Sequence, residues 1–122
     1  MTTFTEPFRP YEVLLSEANG TLSRDSVTVA SGQGVLAAGT VVAKITATGK
    51  YVAYDNAGSD GSETAAAVLL QGVDATSADV AVVAATRMCE VKIDAMQWAA
   101  GLLQADKDAA YVDLATKNII AR

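Results

Sequence analysis

Residues 87–93 read Arg-Met-Cys-Glu-Val-Lys-Ile, a stretch in which polar and apolar side chains largely alternate. Successive side chains of a strand point to opposite faces of a sheet, so this alternation predicts a half-buried β-strand. Because it would lie on the buried face, Cys89 is interpreted as a small core residue rather than a reactive thiol. The buried face would carry Cys89, Val91 and Ile93, and the opposite face Met88, Glu90 and Lys92.

Further short β-type runs lie on the N-terminal side of this stretch, separated by glycines and polar turns. They are residues 11–15, 27–29, 41–45, 51–54, 64–73 and 80–83. The run at 64–73 is almost continuously apolar, and its periodicity alone does not separate a buried strand from a buried helix. Its flanking glycines, Gly61 and Gly72, favour a strand. The chain is therefore predicted to be mainly β, with short strands.

The C-terminal segment has the spacing of a helix over residues 106–117. Asp106 is a candidate N-cap, and Asp108 would lie in the first turn, where the helix dipole favours an anion. Lys117 would lie in the last turn, Asn118 can end the helix, and residues 119–121 are predicted to form a final short strand. A second short helix is possible over 94–101. The apolar face of the main helix would carry Ala110, Tyr111, Leu114 and Ala115.

The N-terminal segment differs from the rest in holding both prolines and both phenylalanines of the chain. Proline disfavours helix and cannot donate to a sheet ladder, so residues 1–10 are expected to be extended. Two interpretations stay open, a frayed terminus and a binding arm. The second divides the chain into an extended arm at 1–24 and a β-rich body at 25–122.

Composition excludes several classes of function. The chain has 122 residues, no histidine, one cysteine, and 14 acidic against 9 basic residues, for a net charge of −5. Mechanisms that need an imidazole are excluded, as are metal sites built on several cysteines. The acidic balance argues against nucleic-acid binding. No segment is long and apolar enough to span a bilayer, and residues 1–10 do not have the pattern of a signal peptide. No catalytic set, metal site or cofactor site is predicted.

A polar stretch at residues 55–63 offers oxygen ligands for calcium, but its spacing does not fit an EF-hand loop. It is interpreted as a hairpin loop with Asp60-Gly61 as its turn. Together with Tyr51 and Tyr54, taken as exposed, this loop supports an alternative function, a small-ligand or carbohydrate-binding β domain. An enzyme is the least favoured class.

Several segments, taken in order, resemble the head decoration protein family of tailed bacteriophages, the relatives of the lambda decoration protein. The resemblance covers nearly the whole chain. It rests on the order of several segments along the sequence, since no single segment is specific to the family. It is weakest in the C-terminal third, where Trp98 is followed by Ala99-Ala100-Gly101 instead of a Trp-Pro type turn. The matching segments are FTEPFRP at 4–10, LLSEANGT at 14–21, SRD at 23–25, VTVASG at 27–32, GTVV at 39–42, GKY at 49–51, DGSETA at 60–65, VDAT at 73–76, ADVAVV at 78–83, and Arg87 with Glu90-Val91.

The resemblance implies a β-clip-like fold and a structural role without catalysis or cofactors. It implies homotrimers on the outside of the expanded phage head, at three-fold and quasi-three-fold positions, that stabilise the shell. It also implies that the N-terminal arm adds a strand to the major capsid protein. The protein would be part of the virion, assembled in the cytoplasm of the host bacterium. Another β-rich virion or tail component is the competing interpretation within this class.

Two sets of residues are candidates for these contacts. Strand addition uses main-chain hydrogen bonds for affinity and alternate side chains for specificity. Deleting residues 2–15 is therefore expected to leave a trimer that no longer decorates heads. The capsid-binding candidates are Phe4, Pro7, Phe8, Pro10, Tyr11, Val13 and Leu15. The trimer-interface candidates, for each of which packing within one subunit is the favoured interpretation, are Ala66, Val68, Leu70, Trp98, Tyr111 and Leu114.

Overall fold

A computed structural model describes residues 11–122, and this part of the chain is mainly β. It has ten strands, one turn of 3-10 helix at Ile93–Ala95 and one α-helix, α1, at Gln104–Ala115. The predicted fold class, mainly β with helix near the C-terminus, is confirmed. The strands are β1 Leu14–Glu17, β2 Arg24–Val29, β3 Gly34–Leu36, β4 Val41–Lys44, β5 Tyr51–Ala53, β6 Ala65–Leu69, β7 Val73–Ala75, β8 Val80–Ala85, β9 Cys89–Val91 and β10 Ile119–Ala121.

Five strands close into a barrel in the order β2-β5-β4-β6-β8. The longest ladder joins β2 to β8 in antiparallel register, from Arg24 opposite Ala85 to Val29 opposite Val80. As the alternation in β2 predicts, Val27 and Val29 are buried and the intervening Thr28 is exposed. The closure between β2 and β5 is weaker, because a single parallel pair, Val29 with Tyr51, joins these two strands.

β6 is buried on both of its sides, which explains its continuous apolar sequence. Ala67 and Leu69 pack in one core cluster with side chains of β2 and β4. Ala65 and Val68 pack in a second cluster with α1 and the C-terminal strands. A strand covered on both faces needs apolar side chains at successive positions. The prediction of a strand rather than a helix is therefore confirmed here.

A three-stranded sheet and α1 form the second layer. β9 is the central strand, antiparallel to β1 and parallel to β10. Cys89 and Val91 are buried as predicted, but Ile93 is 38% exposed, because β9 ends at Val91 and the chain turns into the 3-10 helix. That single turn is all that forms in the segment where a second short helix was possible. The remaining strands, β3 and β7, make a separate antiparallel pair.

The helix α1 begins earlier than predicted. Its first residue is Gln104 and its N-cap is Leu103, so the prediction of Asp106 as N-cap is wrong. Asp106 lies at the third helical position, and its carboxylate accepts a hydrogen bond from the main-chain N–H of Leu103 at 3.1 Å. This satisfies an otherwise unpaired donor at the helix start from within the helix. The helix also ends earlier than predicted, at Ala115, so Lys117 lies beyond its last turn, and Asp108 lies beyond its first turn. Asn118, with a left-handed φ of 59°, belongs to the turn that leads from the helix to β10.

Residues 11–17 pack into the body of the protein. Val13 is only 2% exposed and belongs to the same core cluster as α1, and Leu14 pairs with Val91 of β9. The strand begins at Leu14 rather than at residue 11, because Tyr11 has a left-handed φ of 65° and starts a turn. Four of the predicted arm residues lie outside the described part of the chain. They are Phe4, Pro7, Phe8 and Pro10.

The polar segment 55–63 is not a hairpin loop, which corrects the prediction made for it. It connects β5 to β6, and these strands flank β4 on opposite sides instead of pairing with each other. Gly61, with φ of 111°, approaches the backbone of Lys44 and Thr46 so closely that a side chain would overlap it. The segment therefore crosses one end of β4. Within residues 11–122, no helix has the length and apolar character needed to cross a membrane.

Candidate functional site

Tyr11 is the first residue that the structure describes, and it is anchored to the body of the protein. Its main-chain N–H donates to the carbonyl of Leu70 at 2.7 Å, and its hydroxyl accepts a hydrogen bond from Gln71 Nε2 at 3.0 Å. The guanidinium of Arg24 lies over its ring, 4.7 Å from the centroid. A left-handed φ costs a residue with a side chain about 1–2 kcal/mol, so these contacts hold Tyr11 in a conformation it would otherwise avoid.

The Arg24 side chain is itself held in place by β1. Its Nε and Nη2 atoms bind the two carboxylate oxygens of Glu17 at 2.8 and 2.6 Å. This bidentate contact is the main cause that raises the pKa of Arg24. Sequence analysis did not single out Arg24, Glu17 or Gln71, because nothing in the local pattern marks residues so far apart as neighbours of Tyr11.

The capsid-binding candidates that lie within the described residues differ in how exposed their side chains are. Val13 is in the core, Tyr11 is half-buried, and Leu15 is 51% exposed. β1 is an edge strand of the three-stranded sheet, because only β9 pairs with it in the described part. An edge strand presents unpaired main-chain groups along its free side. Leu15 is thus the candidate in residues 11–15 that stands on an accessible strand edge.

The trimer-interface candidates also divide by exposure. Val68, Leu70 and Leu114 are completely buried in the chain's own core, as packing within one subunit would place them. Trp98 and Tyr111 are half-buried, with their rings in edge-to-face contact at 5.7 Å between centroids. Of the six candidates, those with accessible side chains are Ala66, Trp98 and Tyr111.

The open end of the barrel forms a polar cavity of about 720 Å³, which we call the barrel mouth. It lies where β2 extends beyond its single pair with β5, so the barrel wall is incomplete there. Three cations line it, together with two carboxylates, the ring of Tyr51 and the small side chain of Ala66. The charged lining residues are Lys44, Arg87, Lys117, Asp25 and Glu63.

Part of this charge is neutralised within the mouth. The guanidinium of Arg87 is in contact with the carboxylate of Asp25, which also accepts a hydrogen bond from Thr86 Oγ1 at 3.0 Å. These contacts lower the pKa of Asp25, the hydrogen bond from Arg87 most of all. Glu63 Oε2 accepts the main-chain N–H of Gly61 at 2.9 Å. Sequence analysis missed the mouth because its cations come from β4, the end of β8 and the end of α1.

Tyr51 and Tyr54 do not form the exposed pair assumed in the sequence analysis. Tyr54 is 1% exposed, and its hydroxyl oxygen lies 3.0 Å from both Asn56 Oδ1 and the carbonyl oxygen of Asp106. Its ring packs edge-to-face against the ring of Trp98, with 6.2 Å between the ring centroids. Burial raises the pKa of Tyr54, helped by nearby carboxylates. This side chain is therefore a core residue and does not provide a flat surface for a sugar.

The polar segment 55–63 uses its side chains to hold its own shape. Asp60 Oδ1 accepts hydrogen bonds from Ser62 Oγ at 2.6 Å and from Ser62 N at 3.2 Å, and these contacts lower the pKa of Asp60. No group of three acidic or cysteine residues in the described chain is arranged to hold a metal ion. The oxygen atoms that suggested calcium thus have local structural partners.

Cys89 is a core residue, as its position in the alternating stretch predicted. It is 5% exposed and carries a free thiol. Burial is the main cause that raises its pKa from 9.0 to about 11. Since the thiolate is the nucleophile, the thiol is poorly reactive at neutral pH.

Comparison with protein families identifies the family of this chain. A search among curated proteins found none similar to this chain. The family model described as bacteriophage lambda head decoration protein D matches residues 3–119, which is nearly the whole sequence. This is a family of structural capsid proteins rather than of enzymes, and its members are located on the virion capsid. The chain therefore belongs to the phage lambda head decoration protein family, as the collinear segments had indicated.

Proposed function

We propose that this protein binds as homotrimers to the outside of the expanded phage head, at three-fold and quasi-three-fold positions, and stabilises the shell. Its partner there is the major capsid protein, to which the N-terminal arm adds a strand. Assembly takes place in the cytoplasm of the host bacterium. The family match over residues 3–119 is the observation that carries this proposal.

The anchoring of Tyr11 supports a binding role for the residues that precede it. Contacts with Leu70, Gln71 and Arg24 hold Tyr11, the residue to which the proposed arm at 1–10 is attached, in a fixed position. A segment attached at a defined point searches less space, so its binding costs less ordering entropy. Three arms on one trimer would make the second and third contacts effectively intramolecular, and weak arms could then give tight attachment.

The arm is accordingly proposed to act through residues 1–10, with Leu15 on the free edge of β1 beside it. Val13 contributes by packing in the core. For the trimer interface we retain the candidates whose side chains remain accessible, Ala66, Trp98 and Tyr111.

Co-sedimentation with expanded, undecorated heads tests the function. The expected result is saturable binding by the full chain, and loss of binding by a variant that lacks residues 2–10. Sedimentation of each protein alone reports its oligomeric state. Failure of the full chain to bind heads of any maturation state would overturn the proposal.

The carbohydrate-binding alternative is not proposed. Its premise was an exposed pair of tyrosines, and Tyr54 is buried. The cavity that does contain Tyr51, the barrel mouth, is lined mainly by charged and hydroxyl side chains.

A further inference from the structure

The barrel mouth is lined by three cations and two carboxylates, Asp25 and Glu63, so it carries one net positive charge. Arg87 is paired with Asp25, but Lys44 and Lys117 have no carboxylate partner among residues 11–122. Both lysines are exposed at the rim of the cavity. Two unpaired ammonium groups beside a cavity of about 720 Å³ form a site for carboxylates, and mouths of β-barrels are common places for binding sites.

A complementary acidic surface lies at the start of α1, and we call it the acidic helix end. It consists of Asp55, Asp106 and Asp108, drawn together by the hydrogen bond from Asn56 Nδ2 to Asp106 Oδ1 at 2.9 Å. Asp55 and Asp108 are exposed. None of the three carboxylates has an ion-pair partner in the described structure.

The two surfaces belong to one copy but cannot meet within it. Asp106 lies in the first turn of α1 and Lys117 follows its last turn, and the helix between them, from Asp106 to Ala115, spans roughly 13 Å at 1.5 Å per residue. A contact between two different surfaces of identical subunits is heterologous, and it closes a ring of three when neighbouring subunits are related by a rotation of a third of a turn. A homotrimer needs one contact of this kind per subunit.

We propose that the barrel mouth binds carboxylates of the acidic helix end of a second copy of this chain. The inference rests on the proposed trimer and assigns charged groups to its interface. The chain's net charge of −5 supports this occupant, because copies repel one another overall unless the cations of one face the carboxylates of the next. The opposite charges of the barrel mouth and the acidic helix end also determine how neighbouring subunits are oriented. In any other orientation, like charges would face each other and repel.

Charge reversal tests the contact in the full-length protein. The variants are Lys44→Glu and Lys117→Glu in the mouth, and Asp108→Lys at the acidic helix end. Lys92→Glu is the matched control, because Lys92 is exposed, has no ion-pair partner in the described chain and lies outside the mouth. Circular dichroism and thermal melting establish that each variant is folded. Lys117→Gln replaces Lys117→Glu if the latter does not fold.

Analytical ultracentrifugation over a range of protein and salt concentrations measures self-association. Each mouth variant and Asp108→Lys should weaken it by about tenfold or more, while Lys92→Glu should change it by less than about twofold. Lys117→Glu combined with Asp108→Lys should recover much of the loss, because the interface charges are exchanged. Self-association of the original chain should weaken as salt rises.

Three results would overturn the inference. One is self-association of the mouth variants equal to that of the original chain. Another is a monomeric original chain at every concentration. The third is loss of head binding by mouth variants whose trimer is intact, which would assign the mouth to capsid carboxylates. Head binding by the original chain tests the proposed function separately, so a failure of the function and a failure of this contact give different results.

Discussion

The main-chain N–H of Tyr11 donates to the carbonyl oxygen of Leu70 at a distance of 2.7 Å. This bond ties the residue at the base of the N-terminal segment to the end of the strand that is buried on both sides. Two residues later, Val13 enters the core. The body of the protein therefore includes the chain from Tyr11 onward.

Two deletions that differ only in their end point test this boundary. Removing residues 2–10 keeps Val13 in the core and Leu14 paired with Val91, whereas removing residues 2–15 eliminates both. Burial of a valine side chain is worth about 1.5–3 kcal/mol, so the longer deletion should lower the free energy of unfolding by at least that much relative to the shorter one. Urea denaturation followed by circular dichroism measures the difference. Equal stability of the two proteins would contradict the placement of Val13.

Truncating Leu114 should separate core packing from surface contacts on α1. Leu114 is fully buried and Val112, two residues earlier, is 67% exposed. Leu114→Ala should cost about 2–5 kcal/mol through lost contacts and the cavity left behind. The matched control, Val112→Ala, should change the stability of the monomer by about 0.5 kcal/mol or less. Denaturant titration of both variants, at protein concentrations where each is monomeric, compares the two effects.

A substitution at Gly39 tests a position where the neighbouring backbone leaves no room for a side chain. Gly39 has φ of 92°, and a Cβ there would overlap the carbonyl oxygen of Ala95. Gly20 also has a positive φ, 68°, but a Cβ there meets no atom within 4 Å. Gly39→Ala should therefore destabilise the protein clearly more than Gly20→Ala does, because a clash with a rigid backbone adds to the conformational cost. Melting temperatures that fall equally in the two variants would argue against this close approach.

The thiol of Cys89 should be protected in the folded protein. Its pKa in the folded state, about 11, lies above the 9.0 of an unperturbed thiol. Above pH 9 the unfolded chain loses this proton first, so the contribution of Cys89 to stability is complete below pH 9 and is lost as the pH rises towards 11. Alkylation by iodoacetamide at pH 8 should be slow in the native protein and fast in denaturant. Cys89→Ser should remove all labelling, and rapid native labelling would contradict the buried position.

Much of the architecture could be read from local patterns. The alternation in residues 27–29 and 89–91 identified their strands and buried faces, because a period of two follows from strand geometry whatever the neighbours are. Asn118 marked the turn between α1 and β10, since asparagine tolerates a left-handed backbone, although the helix itself ends at Ala115. The collinear segments indicated the family, which the match over residues 3–119 bears out.

Other features depended on contacts between residues distant in sequence. Sequence alone left residues 11–24 with the arm, and only the pairing of β1 with β9 and the burial of Val13 placed their first part in the body. Tyr54 appeared exposed until α1 was seen to lie against it. The barrel mouth could not be predicted, because Lys44, Arg87 and Lys117 converge only through closure of the barrel.

The sequence by itself therefore determined the secondary structure class, the absence of histidine chemistry and the family of this protein, because these depend on composition, short-range periodicity and the order of motifs. The tertiary structure decided where the body begins, which apolar residues are core and which charges meet. Those properties arise from packing and pairing across long sequence separations, which local patterns do not encode.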